Sequence, residues 1–371
     1  MSAGIVITAT FQRSASAEPL RSFLEFHLSK GFQKIYLFVD GVNDHEALEI
    51  ASSFSAVEIR CRGPQLLQEL STTRTFQQHS DSYESSVSVR QMANAELAMK
   101  LAQDVVDFLV HLDADELFFT REASVGPHFE WLMDNGIDQM TYLNHEGVPQ
   151  SQTIGDYFRE VCLFRRHQST VPLSDRARSC MRFWMNRTNH AQYLLFYDNG
   201  KSSCRVASTA VPLSQHKWKL SPKARSVTAI ADPRHLDVAN YVELNDPCIL
   251  HFPACGLSWM QEKYSTLGSF PDSWLKGGVR IPPCFHLDCR DAFLRGGETE
   301  LRNLYHEQVM LDCPAEASRQ IEAGVCLRIP VFGSAIPEPA FIRGGSQPDV
   351  GNELVGVEKG WLVGAIMRDF L

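Results

Sequence analysis

The chain has 371 residues, 44% of them hydrophobic, and a formal net charge of −9 at pH 7. Its length allows one large domain or two modest ones, each with a hydrophobic core. Because a nucleic-acid-binding protein normally presents a basic face, the acidic balance predicts that this protein has no nucleic-acid partner. The ten cysteines include no Cys-x-x-Cys pair, which predicts reduced, mostly buried thiols rather than a zinc site or a disulfide framework.

The N-terminal sequence MSAGIVITATFQRSAS contains an apolar run that is too short for a signal peptide or a membrane span. We therefore expect a soluble, cytoplasmic protein without a transmembrane segment. Peripheral contact with a membrane stays open.

Strand-like and helix-like segments alternate through the first part of the chain. Short β-branched runs indicate strands, and apolar residues three and four apart indicate helices. The predicted order is strand 5–10, helix 17–30, strand 34–39, helix 45–53, strand 56–61, a polar loop at 71–88, helix 89–103 and a strand in DFLVHLDADELFF, residues 107–119. This alternation predicts an α/β fold with a mostly parallel central sheet and flanking helices.

The second part of the chain is less regular. We predict strands at 140–143, 160–164 and 192–197, a hairpin turn at Asn199 and Gly200, and helices at 259–267 and 291–311. Beyond Pro330 a Gly/Pro-rich stretch predicts a linker, and 354–371 reads as an amphipathic segment.

The apolar run of DFLVHLDADELFF ends in Asp113, Asp115 and Glu116. Open α/β sheets bind ligands at the carboxyl ends of their strands, and residues two apart on a strand point to the same side. Two carboxylates directed at one spot suit a hard divalent cation, Mg²⁺ or Mn²⁺, that also binds phosphate oxygens. A solvated acidic loop and a carboxylate pair for glycoside hydrolysis are the alternatives. An EF-hand is excluded, because its glycine would fall at Phe118 and its glutamate at Ser124.

Four sequence blocks together resemble the nucleotide-sugar glycosyltransferases of the GT-A fold, in particular family 92 (DUF23-like) and related family 2 enzymes. In order, the blocks are EPLRSFLEFHLSKGFQKIYLFVDGVND, then RQMANAEL followed by VVDFLVHLDADELFF, then NGKSSCRV, and finally ILHFPACGLSWMQEKY. The resemblance implies a metal-dependent enzyme of glycan biosynthesis. It would transfer a sugar from a nucleotide-diphosphate donor to a hydroxyl of a glycan, glycoprotein or glycolipid, with inversion.

The resemblance also implies roles for particular residues. Asp115 would be the direct ligand of Mn²⁺ or Mg²⁺, and Asp113 would bind the metal through water or contact the ribose. A late histidine completes such a metal site in many of these enzymes. We prefer His251, because it follows the apolar CIL and precedes a glycine-containing turn, and His216 is the alternative.

Further residues are expected to contact the nucleotide sugar. They are Thr8 and Thr10 at the end of the first strand, Asp40 at the end of the second, Arg90 and Gln91 on the helix before the acidic motif, Asp113, and Lys201 after the turn. Two alternatives to nucleotide binding are equally open. Arg90 and Gln91 could mark a helix start that faces solvent, and Lys201 could be an ordinary surface lysine.

An inverting transferase needs a carboxylate that takes the proton of the acceptor hydroxyl. Glu146, Asp156, Glu160 and Asp272 all follow the metal motif, and their spacing favours none of them.

The resemblance divides the chain into three parts. Residues 1–136 would form the nucleotide-sugar-binding half of a GT-A domain, 137–310 its acceptor-side half, and 311–371 a C-terminal extension. Two other functions stay open. One is a nucleotidyltransferase acting on a sugar phosphate, although the loop TFQRSASAEP has no glycine and only one basic residue, Arg13. The other is a non-catalytic protein that binds nucleotide sugars.

Overall fold

The computed structural model describes residues 1–9, 17–40, 45–206, 209–228, 247–273 and 280–332. Its strands are β1 Ala3–Ala9, β2 Lys34–Val39, β3 Val57–Cys61, β4 Phe108–Asp113, β5 Glu116–Phe119, β6 Gln139–Tyr142, β7 Asn144–Gly147, β8 Leu163–Arg165, β9 Lys201–Arg205, β10 Val211–Pro212, β11 Trp218–Lys219, β12 Ser226–Thr228, β13 Cys248–His251 and β14 Cys326–Arg328. Its α-helices are α1 Ala17–Ser29, α2 His45–Ser52, α3 Pro64–Leu70, α4 Arg74–Tyr83, α5 Val87–Leu101, α6 Gly126–Asp134, α7 Tyr157–Glu160, α8 Asp175–Met185, α9 Leu257–Leu267, α10 Phe285–Leu304 and α11 Pro314–Glu322.

The central sheet has seven strands in the order β12-β6-β9-β4-β1-β2-β3. Strands β4, β1, β2 and β3 are parallel to one another, as are β12 and β6, and only β9 runs antiparallel to its neighbours. The predicted α/β class, with a mostly parallel central sheet and flanking helices, is confirmed.

Strand β1 is buried along its whole length. Ile5 and Ile7 pack into the core on one face of the sheet, together with helix α1, whereas Val6 packs into the core on the other face with helix α5. A strand covered on both faces needs apolar residues at successive positions rather than at alternate ones. This explains why the first strands appear in the sequence as unbroken apolar runs.

A second sheet contains five strands in the order β14-β8-β7-β13-β5. The chain passes from the central sheet into this sheet through a two-residue turn at Ala114 and Asp115, between β4 and β5. The acidic motif therefore lies at the junction of the two sheets.

The predicted loop at 71–88 is wrong, since α4 and the start of α5 occupy most of it. Thr73 caps the start of helix α4, and its hydroxyl accepts a hydrogen bond from the Phe76 amide at 3.3 Å. The buried Glu96 carboxylate of α5 accepts the backbone N–H groups of Arg74 and Thr75, both at 2.8 Å. These N–H groups at a helix start need acceptors, and Glu96 supplies them from 21 and 22 residues away in sequence.

Two strand predictions in the second part are also wrong. Residues 192–197 are irregular, with bends at 193–196, and do not form a strand. Strand β9 pairs with β4 and β6 instead of forming a hairpin with that segment. The predicted strand at 160–164 divides into the end of α7 and the start of β8. The helix predicted at 291–311 is α10 followed by a π-helical turn, Tyr305–Val309.

The predicted linker beyond Pro330 and the segment 354–371 lie outside the described residues from position 333 onward. The division of the chain at residues 136 and 310 stays a prediction. No two of the ten cysteines are joined in a disulfide, and six of them are buried. Within the described ranges, every helix is too short or too polar to cross a membrane.

Candidate active site at the carboxyl ends of the parallel strands

Asp113 is the last residue of β4, and both of its carboxylate oxygens are held. Oδ1 accepts a hydrogen bond from Gln91 Nε2 at 2.7 Å, and Oδ2 accepts one from Lys201 Nζ at 2.6 Å. The Lys201 side chain is fully buried, whereas that of Asp113 is 27% exposed. Burial alone would raise the pKa of Asp113, but the charge and the hydrogen bond of Lys201, with smaller contributions from His111 and His216, together outweigh it and lower this pKa. Asp113 is therefore an ionised carboxylate with a counter-ion inside the protein.

Asp115 lies in the turn after β4 and not on the strand. The alternation of side chains along an extended strand, which predicted that Asp113 and Asp115 point to the same side, therefore does not apply to Asp115. Its Oδ2 accepts a hydrogen bond from Lys263 Nζ at 3.2 Å, and its Oδ1 lies 3.9 Å from His251 Nε2. His251 reaches this position because β13 pairs with β5 in a register that aligns His251 with Glu116. Burial would raise the pKa of Asp115, but Lys263 and then His251 lower it.

Glu116 is fully buried behind the two aspartates. Its Oε2 accepts the Asp113 backbone N–H at 2.7 Å, and its Oε1 accepts the Tyr197 hydroxyl. The Tyr197 ring lies between the imidazoles of His216 and His251, with centroid distances of 4.7 and 4.6 Å. Burial, together with the nearby aspartates, raises the pKa of Glu116 well above its ordinary value. Glu116 thus fixes both the end of β4 and the Tyr197 ring.

Thr8 and Asp113 are paired in register on the neighbouring strands β1 and β4. The Thr8 hydroxyl accepts a hydrogen bond from Asn94 Nδ2 at 3.0 Å, and Asn94 lies on α5, the helix that also carries Gln91. Thr10 lies outside the described residues. The structure therefore brings Thr8, Gln91, Asp113 and Lys201 together at the carboxyl ends of β1 and β4, and their contact with a nucleotide sugar stays a prediction.

Asp40 and Arg90 form a second polar pair beyond the end of β2. Arg90 Nε donates to Asp40 Oδ2 at 2.7 Å, and Arg90 Nη1 donates to the carbonyls of Tyr83 and Glu84 at 2.9 and 3.0 Å. Arg90 is only 7% exposed, so it does not mark a solvent-facing helix start. In this arrangement the guanidinium holds Asp40 and closes the end of α4.

Glu146 is buried and bound on all sides. It forms an ion pair with Arg165 and accepts the backbone N–H groups of Leu195 and Phe196 at 3.0 and 3.1 Å. Arg165 in turn stacks over the Trp184 ring. Glu146 is 1% exposed, so its carboxylate holds the segment that leads to Tyr197 and presents no open face to an acceptor.

Asp156 and Asp272, the other base candidates, differ in their surroundings. Asp156 caps α7 by accepting the Phe158 N–H at 3.0 Å, and it also accepts the Ser22 hydroxyl. Burial raises the pKa of Asp156. Asp272 pairs with Arg290 at 2.6 Å and is 57% exposed. Glu160 accepts the N–H groups of residues 155 and 156.

The fit of a divalent metal can be judged from these contacts. No cluster of three or more His, Cys, Asp or Glu side chains suited to a metal is found in the described part of the chain. An ion at Asp115 would meet the Lys263 ammonium. At an effective dielectric of about 20, two unit charges about 4 Å apart repel by about 4 kcal/mol, and a dication doubles that figure. The residues therefore do not form a metal site in this arrangement, and Mn²⁺ or Mg²⁺ stays a prediction.

The two candidate histidines differ in what supports them. His216 Nδ1 donates to the Gly200 carbonyl at 2.7 Å, which leaves Nε2 with its lone pair, as metal-binding histidines usually have it. His251 is nearer to Asp115, but its Nδ1 has no hydrogen-bond partner in the described part of the chain. Burial lowers the pKa of His216 to about 3 and that of His251 to about 4, so both rings are neutral at pH 7.

Two cavities lie away from these carboxylates. The larger, of about 580 Å³, is lined by residues that include Ser2 and Asp107, which precede β1 and β4. It is thus at the amino ends of the strands, opposite Thr8 and Asp113. The smaller, of about 400 Å³, lies between α4 and β10. Because ligands of open α/β sheets bind at the carboxyl ends, we assign the candidate site by its side chains rather than by cavity size.

Sequence reasoning missed Tyr197 and Lys263 as members of the site. Lys263 was visible as the basic residue of the block ILHFPACGLSWMQEKY, but nothing in the sequence indicated that it reaches Asp115. Tyr197 gave no signal, because its segment read as a strand.

The known proteins that are similar in sequence to this chain are described as glycosyltransferase-like. No family model matches the chain. The chain is 24% identical over 340 residues to a glycosyltransferase-like protein of Arabidopsis thaliana, covering 87% of this chain and 70% of the relative. A second glycosyltransferase-like protein of that plant is 24% identical over 344 residues, covering 87% and 61%. Mannosyl-3-phosphoglycerate synthase from Rubrobacter xylanophilus aligns over 66% of this chain and 71% of its own, with 11% identity and a TM-score of 0.30. The chain is thus similar to glycosyltransferase-like proteins and spans less than two thirds of the second relative.

Proposed function

We propose that this protein is a glycosyltransferase. It moves a sugar from a nucleotide-diphosphate donor to a hydroxyl of a glycan, glycoprotein or glycolipid, with inversion at the anomeric carbon. The similarity to two glycosyltransferase-like proteins over most of the chain supports the transfer of a sugar. The nature of the donor, the acceptor and the stereochemistry are our own extension of that similarity.

One structural observation carries the proposal. Strand β1 lies between β2 and β4, so the strand order of the sheet changes direction next to β1, and open α/β sheets bind ligands beyond the carboxyl ends of their strands at such a point. The polar side chains of Thr8, Gln91, Asp113 and Asp115 meet at this point. Polar groups that are fixed in this way at the carboxyl ends of parallel strands suit a nucleotide.

Asp113 suits the ribose of the donor. Lys201 and Gln91 each donate one hydrogen bond to the Asp113 carboxylate. Each of its two oxygens can accept a further hydrogen bond. Because the side chain is 27% exposed, its remaining capacity can accept a sugar hydroxyl. The Thr8 side chain lies in register beside it.

The proton of the acceptor hydroxyl needs a base, and Asp156 is our choice among the predicted carboxylates. Its side chain is 12% exposed, whereas that of Glu146 is 1% exposed and enclosed by its ion pair. Burial also raises the pKa of Asp156, which makes a base a better proton acceptor. In the proposed step the acceptor oxygen bonds to the anomeric carbon, the bond to the diphosphate breaks, and Asp156 takes the hydroxyl proton. The nucleoside diphosphate leaves with the electron pair.

A requirement for Mn²⁺ or Mg²⁺ remains part of the proposal. Such an ion would stabilise the charge that develops on the leaving diphosphate. Asp115 and His251 are the nearest pair of side chains that could hold it, provided that Lys263 moves away.

The test is to incubate the protein with uridine, guanosine, adenosine and cytidine diphosphate sugars, with and without Mn²⁺, and to measure released nucleoside diphosphate. We expect slow hydrolysis or transfer of at least one donor, and a loss of more than tenfold in Asp115→Asn. Asp134→Asn, on an exposed residue at the end of α6, is the control and should match the wild type.

Two results would replace this proposal. Formation of pyrophosphate from a nucleoside triphosphate and a sugar phosphate would make the protein a nucleotidyltransferase. Tight binding of a nucleotide sugar with no turnover in any condition would make it a binding protein.

A further inference from the structure

Lys263 is the basic side chain at the edge of the candidate site. It projects from α9 toward the turn after β4, with Nζ 3.2 Å from Asp115 Oδ2 and 3.3 Å from the Pro253 carbonyl oxygen. The ammonium also lies 4.8 Å from the centroid of the Phe196 ring. Its side chain is 30% exposed, whereas that of Lys201 is not exposed at all. Of these two lysines, only Lys263 can therefore meet an incoming ligand.

The ammonium of Lys263 keeps hydrogen-bonding capacity. A lysine ammonium has three N–H donors, and Asp115 and Pro253 account for two of them. Both contacts exceed 3.1 Å, which is long for a charge-assisted hydrogen bond to a carboxylate. By contrast, Lys201 is 2.6 Å from Asp113. The Lys263 contact is thus the looser of the two ion pairs.

The charged side chains of the site neutralise one another in pairs. Lys201 is paired with Asp113, and Lys263 is paired with Asp115. A nucleoside diphosphate brings several negative charges to the same edge, and its oxygens compete with Asp115 for the exposed ammonium. Since phosphate oxygens are strong acceptors for ammonium groups, the looser pair is the one that opens.

We propose that Lys263 is a diphosphate-binding residue that rests on Asp115 in the free protein and turns to the diphosphate of the donor when the nucleotide binds. This inference rests on the proposed function, because it names how the same site holds its donor. Asp115 then has two effects on the nucleotide. It repels the diphosphate directly, and it retains the lysine that would bind it.

The proposal predicts an unusual sign for one substitution. With the metal removed by EDTA, Asp115→Asn should bind nucleoside diphosphate about three- to tenfold more tightly than the wild type, because Lys263 is released and one negative charge is lost. Lys263→Met should bind it at least tenfold more weakly, as expected for the loss of one charge-assisted hydrogen bond. In the Lys263→Met background, Asp115→Asn should improve the affinity less than it does in the wild type, since no lysine remains to be released and only the lost negative charge contributes.

The experiment is isothermal calorimetry in EDTA with UDP, GDP, ADP and CDP, and with the corresponding monophosphates. Lys263→Met should also reduce the preference for the diphosphate over the monophosphate, which a merely structural lysine would not change. Lys263→Arg should keep most of the affinity. Lys223→Met, on an exposed residue, controls for the loss of one positive charge, and circular dichroism checks that each variant is folded.

The two hypotheses fail in different ways. If none of the nucleotides binds the wild type or any variant, with or without Mn²⁺, the proposed function fails. If a nucleoside diphosphate binds but Lys263→Met binds it as tightly as the wild type, the role of Lys263 is overturned while the proposed function stands. Weaker binding in Asp115→Asn in EDTA would likewise contradict the exchange between Asp115 and the diphosphate.

Discussion

Lys201 Nζ lies 2.6 Å from Asp113 Oδ2, and the lysine is completely buried. The same ammonium is 3.5 Å from Glu116 Oε2. Burial would lower the pKa of Lys201, but Asp113 and Glu116 outweigh it and raise this pKa. The end of β4 is thus stabilised by a positive charge that the protein itself supplies.

Replacing this lysine should destabilise the protein. Lys201→Met leaves Asp113 and Glu116 without their buried counter-ion, and breaking a buried pair costs about 3–5 kcal/mol. Urea unfolding followed by circular dichroism measures the loss.

Lys223→Met removes an exposed lysine and should change the free energy of unfolding by less than about 0.5 kcal/mol. Adding Asp113→Asn to Lys201→Met should restore part of the stability, because one unpaired charge is removed. An unchanged stability of Lys201→Met would show that the pair contributes nothing.

Glu146→Gln separates a structural role from a catalytic one. The substitution leaves the buried Arg165 without its charged partner, and we expect a loss of about 3 kcal/mol in the free energy of unfolding. If sugar transfer is detected, turnover of the folded variant should fall less than tenfold. A base would instead lose about 10²–10⁴-fold with little change in stability.

Glu322→Gln is the matched control, since its ion pair with Arg176 is exposed. Exposed pairs of this kind contribute about 0–1 kcal/mol. Its stability should therefore stay close to that of the wild type.

Strands β1, β2 and β4 could be predicted because burial on both faces demands unbroken apolar runs, whereas β3 at the edge of the sheet is only partly buried and alternates apolar and polar residues. The polar ends of these strands were visible for the same reason, since Asp113 interrupts such a run. The α/β class and the position of the acidic motif follow from local sequence alone.

The partners of the acidic motif could not be predicted in this way. Lys201 is buried because β9 inserts between β4 and β6. The turn predicted at Asn199 and Gly200 indicated a strand after it, but no local signal indicated that this strand pairs with β4 and β6. Lys263 lies 148 residues from Asp115 in sequence. Glu96 similarly caps a helix that looked like a polar loop. In each case a side chain that is distant in sequence supplies the charge or the hydrogen-bond acceptor, so local sequence patterns do not predict the contact.

His27 makes stability depend on pH. It lies on α1, where Nδ1 donates to the Phe23 carbonyl and Nε2 accepts the Phe118 N–H of β5 at 3.0 Å. Burial lowers its pKa from 6.5 to about 3. Between these values the unfolded chain binds a proton that the folded chain does not, so the free energy of unfolding falls as the pH decreases from 6.5 toward 3.

In His27→Gln, the slope of the unfolding free energy against pH should be smaller by the contribution of about one proton, which is about 1.4 kcal/mol per pH unit. Urea unfolding at pH 7, 6 and 5 gives the slope. His45→Gln, on an exposed histidine, should leave the slope unchanged, and an equal slope in His27→Gln would contradict the assignment.

Gly200 is required by the turn that leads into β9 and delivers Lys201 to Asp113. Its φ of +67° is unfavourable for other residues, and a Cβ atom at this position would lie 2.0 Å from the Tyr142 carbonyl oxygen. Gly136 has a similar φ of +62° but no atom within 4 Å of such a Cβ. The two glycines therefore separate the backbone penalty from the steric one.

Gly136→Ala should cost about 1 kcal/mol, which is the conformational penalty alone. Gly200→Ala should cost at least about 2 kcal/mol more, because β9 must move away from Tyr142 and the Lys201 ammonium moves with it. Thermal unfolding of both variants measures the difference. Equal losses would mean that the turn relaxes without disturbing β9, and nucleotide binding by Gly200→Ala would then match that of Gly136→Ala.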